Sequence, residues 1–145
     1  MPFRFTLATL LRVRESIEKR EEMALQRAEM EVVRVRQQIE ELTIEIARAG
    51  EAREKALREA IKAHRLQDID AGMNSAIAAR RALIEALQTL KEQREAQMKR
   101  YQAAYSNRQM LTDLSTQQRD EYEQEEARAQ QKRLDDIFVA RIQRG

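Results

Sequence analysis

The sequence predicts an all-α protein, a long antiparallel two-helix coiled-coil hairpin, and three observations carry that prediction. The first is composition: 36% of the residues are charged and 4% aromatic, with three glycines and one proline in 145 residues. Ala, Glu, Lys, Leu, Arg and Gln are good helix formers, and the breakers are nearly missing. The second is a run of apolar positions, Leu25, Ala28, Val32, Val35, Ile39, Leu42, Ile46 and Ala49, in alternating steps of three and four. Such a heptad seam winds one helix against another in a left-handed supercoil. The third is an interior cluster of turn and cap residues, Asp68, Asp70, Gly72, Asn74 and Ser75, where a chain could reverse and a second helix begin.

The elements follow in order. Helix 1 is expected over about residues 6–66, the turn over about 67–75 and helix 2 over about 75–142, all in a single coiled-coil hairpin. Upstream of the seam, Leu7, Leu10, Val13 and Ile17 form a stripe in another phase, so the seam shifts near residues 20–24. Helix 2 offers Ile77, Leu83, Ile84, Leu87, Leu90, Met98, Tyr101, Tyr105, Leu111 and Leu114, then Leu134, Ile137, Phe138 and Ile142. A reversal at Gly72 makes residues face each other when their numbers add to about 144. Ile61 then meets Leu83, Leu57 meets Leu87, Ile46 meets Met98, Ile39 meets Tyr105 and Leu10 meets Leu134. The same register gathers Phe3, Phe5 and Phe138, the three phenylalanines of the chain, at the open end of the hairpin. Between the apolar zones it sets Arg14 against Gln130 and Glu18 against Glu126, a poor stretch of seam.

Enzymatic chemistry has little to rest on. The chain has one histidine, His64, no cysteine and no glycine-rich phosphate loop. Its carboxylates alternate with cations at i,i+4 spacing, as in Glu15 with Lys19, Glu51 with Lys55 and Glu95 with Lys99, which supports exposed helix faces. No catalytic residue, metal site, cofactor or small-molecule ligand is therefore expected. The 27 basic and 25 acidic residues are interspersed, giving a net charge of +2 and no basic stripe, which argues against nucleic acid as a partner. Arg4, Arg12 and Arg14 interrupt the apolar start, as no secretory leader tolerates, and a cytoplasmic protein is expected. Apolar groups at the two ends of a thin hairpin, Ile69, Met73 and Ile77 at the turn and the phenylalanines at the other, suggest contact points for partners.

Two stretches carry a resemblance: "FRFTLATLLRVRESIEKREE" at the N-terminus and "TDLSTQQRDEYEQEEARAQQKRLDDIFVARIQ" at the C-terminus. With an aromatic start leading into Leu-Leu-Arg-Val-Arg-Glu and a final Lys-Arg-Leu-Asp-Asp, the chain resembles the FliJ family of flagellar protein export. The family includes the corresponding stalk proteins of virulence type III secretion. The resemblance implies a non-catalytic component of the export apparatus, peripherally associated with the inner membrane through that apparatus. Its implied partners are a hexameric export ATPase, the cytoplasmic domain of the membrane export gate, and export chaperones. Carried onto this chain, the ATPase-facing end is Phe3, Phe5, Leu7, Leu11, Arg12, Arg14, Leu134, Asp135, Phe138 and Arg141. The gate-facing tip is Ile69, Met73, Ile77 and Arg81. A general scaffold coiled coil, or the stalk of a virulence secretion system or rotary ATPase, is the alternative reading.

Overall fold

The computed structural model describes residues 3–60 and 62–144. They form two helices, α1 (Ala8–Arg58) and α2 (Ala63–Arg144), packed against each other as a two-helix hairpin. At the start of α1, the Ala8 amide donates to the Phe5 carbonyl at 3.1 Å and the Leu11 amide to Leu7 at 2.9 Å. Lys55 and Arg58 occupy its last turn, where cations complement the carbonyl end of the helix dipole. Arg141 and Arg144 do the same for α2.

The reversal lies after Arg58 and before Ala63, not at 67–75. The Glu59 amide closes the last turn of α1 onto the Lys55 carbonyl at 3.0 Å, and Ala60 follows with φ of 52°. A left-handed residue just past a helix end is the ordinary way to stop a helix, but glycine normally supplies it because a Cβ there costs about 1 to 2 kcal/mol. The Lys62 carbonyl then accepts from the Arg65 and Leu66 amides as α2 begins. Asp68, Asp70, Gly72, Asn74 and Ser75 are all helical within α2. Gly72 faces open space, so its missing side chain weakens the helix without breaking it.

The chain divides into two compact units, residues 21–100 and residues 1–20 with 101–145. In the first, Asp70 accepts from Arg53 Nε at 2.7 Å, Thr43 Oγ1 accepts from Arg80 Nε at 2.8 Å, and Gly50 sits beside Met73. In the second, Glu18 pairs with Arg108 and Phe3 packs on Tyr122. Facing residues are antiparallel in both, and their numbers add to 123 in the first and to 125 or 126 in the second, rather than to 144. The expected pairs therefore do not form: Leu57 is 53% exposed, and Leu10 and Leu134 are exposed as well. The pair of Ile61 with Leu83 lies outside the described residues.

In the unit of residues 21–100 the difference between the two registers is 21 residues, three heptads. A shift by whole heptads keeps the same faces in contact and changes only which layers meet. That is why the seam itself is as expected while its partners are not. Leu25, Val32 and Val35 are 8%, 1% and 3% exposed, and Ala28, Ile39, Leu42, Ile46 and Ala49 are half-buried beside them. Ala56 and Ala76, at 3% and 6%, continue the core toward the turn, where small side chains let the helices approach. Upstream, the buried phase continues through Leu11, Arg14 and Glu18, leaving Leu10 and Val13 exposed.

Candidate interaction surface

The polar stretch of the seam in the unit of residues 1–20 and 101–145 is a built layer, because the observed register replaces a like-charge pair by an unlike one. Glu18 meets Arg108 instead of Glu126, with both side chains 18% exposed. Arg108 donates through Nε and Nη2 to the two carboxylate oxygens, the second at 3.4 Å, and through Nη1 to Gln109 Oε1 at 2.8 Å. Its guanidinium also lies 5.0 Å from the centre of the Tyr105 ring. The bond to Glu18 raises the Arg108 pKa above its ordinary value. Tyr105, expected to pack on Ile39, is instead 45% exposed beneath that guanidinium, with Tyr101 half-buried 6.5 Å away.

The phenylalanines separate. Phe3 stacks at a tilt of 50° on Tyr122, with ring centres 5.7 Å apart, and the Arg119 guanidinium lies 5.5 Å from the Phe3 ring. Desolvation, with Glu126 nearby, raises the Tyr122 pKa. Phe138 lies 16 residues further along α2, about 24 Å of helix, and is 64% exposed. The expected three-ring cluster is thus replaced by a Phe3–Tyr122 lock and an exposed Phe138. Spacing in the sequence does not single out Tyr122, since only the register shows that it faces Phe3.

Beyond Tyr122, α2 runs past the start of α1. Every residue from 123 to 144 is exposed, about 33 Å of helix with no α1 beside it. Leu134, Ile137, Phe138 and Ile142 fall at i, i+3, i+4 and i+8, one apolar stripe whose members are 53% to 64% exposed. Lys132, Arg133, Arg141 and Arg144 outnumber Asp135 and Asp136 around it. Of the residues expected to face an ATPase, the structure places Leu134, Asp135, Phe138 and Arg141 on this segment, Leu7 and Arg12 exposed on α1 or just before it, and Phe3, Phe5, Leu11 and Arg14 half-buried.

The four residues expected at the tip of the hairpin are not there. Ile69, Met73, Ile77 and Arg81 all lie inside α2, with Ile69 and Met73 half-buried in the seam while Ile77 and Arg81 are exposed. The residues at the reversal are Glu59, Ala60 and Lys62. Among the described residues, no three His, Cys, Asp or Glu side chains are grouped to hold a metal ion, and no helix is long and apolar enough to cross a membrane.

The fold defines the class first: an all-helical protein built as a two-helix coiled-coil hairpin. The particular family follows from the sequence as a whole: residues 3–145 match the model of the flagellar FliJ protein, and the chain belongs to that family. Comparison with curated proteins and with solved structures found no match. Family membership supports a part in flagellar biogenesis and protein export.

Proposed function

We propose that the chain is a non-catalytic stalk of the export machinery, whose lone α2 segment enters the pore of a hexameric export ATPase. The observation that carries this reading is the unpartnered helix of residues 123–144 with its exposed Leu134, Ile137, Phe138 and Ile142. An amphipathic helix of this kind is stable in water at a cost that a groove in a partner removes. A single asymmetric helix in a sixfold ring contacts its subunits unequally. It therefore biases their nucleotide states through differential binding, which changes a hydrolysis rate without chemistry of its own. In the same reading, exposed Arg141 and Arg12 meet acidic side chains of the ring, Ile77 and Arg81 face the cytoplasmic domain of the export gate, and chaperones dock on other helix faces.

The test is the turnover and ring assembly of the export ATPase from the same organism, with the native chain and with a Leu134→Ala, Phe138→Ala double variant. The native chain is expected to promote both. The double variant should lose the effect while its stability stays within about 0.5 kcal/mol of native, because both side chains are exposed. Stimulation by the double variant equal to the native chain, or none by either, overturns the reading.

A further inference from the structure

The face of α1 away from its seam carries a second heptad pattern. Met23, Met30, Gln37 and Ile44 recur every seven residues, and Gln26 and Val33 stand three residues after the first two. Met23 is 49%, Met30 70% and Val33 52% exposed. A shallow groove is lined by Gln26, Glu29, Met30, Val33, Arg34 and Gln37, all in the unit of residues 21–100. Single exposed apolar residues need no explanation, but these are spaced as a coiled-coil seam is spaced. Methionine suits such a face because its flexible thioether adapts to whatever covers it.

The charges beside the stripe show what covers it. In a parallel pair of such helices, a residue on one flank meets the residue five positions later on the other flank of the partner helix. Applied to two copies of this chain, that relation sets Glu29 against Arg34 and Arg36 against Glu41, opposite charges in both cases. An antiparallel pairing that lays Met30 on Val33 sets Glu29 near Arg36, which attract, but Arg27 near Arg34, which repel. The same antiparallel pairing brings Arg20 near Glu41, which attract, so one of its three flanking contacts repels whereas both parallel contacts attract, and the flanks favour the parallel orientation. Arg34 bonds Glu31 at 2.7 Å with both side chains about half exposed, so turning to Glu29 of a second copy exchanges one solvated ion pair for another. Glu40 occupies the next inner position and would face itself, which confines the apolar contact to residues 23–37.

We propose that this outer face of α1 is a self-association surface, on which two copies of the chain pair in parallel through Met23, Met30 and Val33. The patch is small, so pairing occurs at high local concentration, as when several copies gather at one assembly.

The chain contains no cysteine, so one introduced thiol reports on one position. Met23→Cys, Met30→Cys and, as a control, Gln93→Cys on an exposed face of α2 are oxidised mildly at high protein concentration. Met23→Cys and Met30→Cys should each cross-link to themselves at least about tenfold faster than Gln93→Cys, since alignment raises the effective thiol concentration. Adding Arg34→Glu should slow the Met30→Cys reaction, and adding Glu29→Arg as well should restore it. Circular dichroism of each variant confirms that the helices are intact. Equal rates at all three positions overturn the proposal. So does a mixture of Met30→Cys with Val33→Cys linking faster than Met30→Cys alone, because that marks an antiparallel pair.

Discussion

The two units of the chain use the same helices for different ends. In the unit of residues 21–100 the seam is apolar, with Leu25, Val32 and Val35 at most 8% exposed. In the unit of residues 1–20 and 101–145 the seam carries a polar layer: Glu18, Arg108, Gln109 and Thr112 are connected by hydrogen bonds, with Ala104 buried one turn away. Apolar layers store stability but tolerate slippage by whole heptads. Polar layers add little stability and accept only the register that pairs their charges. The second unit also leaves residues 123–144 of α2 without a helix partner, which is where contact with another protein is available.

The largest expected effect tests the apolar unit. Val32→Ala should destabilise the chain by about 2 kcal/mol, while Val33→Ala, one residue on but 52% exposed, should change stability by less than about 0.5 kcal/mol. Denaturant unfolding of the two variants measures the contrast, and equal losses would mean that the helix packs through a different face.

A second change separates the observed turn from the one expected at Gly72. Because Gly72 is helical and faces open space, Gly72→Ala should stabilise the chain by about 1 kcal/mol. A turn there would make the same substitution neutral or harmful, so a fall in melting temperature would argue for reversal near residue 72.

The smallest effect concerns the polar unit. Tyr122 is held neutral above its ordinary titration range by burial against Phe3 and by Glu126. A folded-state pKa raised above the unfolded value means stability that is present below the unfolded value, near 10, and is lost as pH rises through the folded one. Ultraviolet titration of the native chain should show a tyrosine ionising above the ordinary range, and Tyr122→Phe should remove that step.

Much of the fold is legible in the sequence. The positions from Leu25 to Ala49 announce the seam by spacing alone, and each of them is buried or half-buried. The apolar stripe of Leu134, Ile137, Phe138 and Ile142 is legible too, although its standing free of α1 is not. The misleading signal is the cluster around Gly72, whose residues favour turns locally but sit inside a long helix held by Arg53 and Met73 contacts. Ala60 gives no signal, since alanine is the best helix former and here adopts the left-handed conformation instead.

By itself the sequence determined that the chain is helical, which face of α1 is buried and which family it belongs to. These follow from local propensity, from a 3.5-residue period and from the match over residues 3–145. Tertiary structure alone decided the register. A heptad pattern repeats on itself, so pairings offset by three heptads bury the same faces. The choice between them fell to contacts that no local period encodes: Glu18 with Arg108, Arg53 with Asp70, and Phe3 with Tyr122. That choice moved the turn to Ala60 and left Phe138 exposed, far along α2 from Phe3.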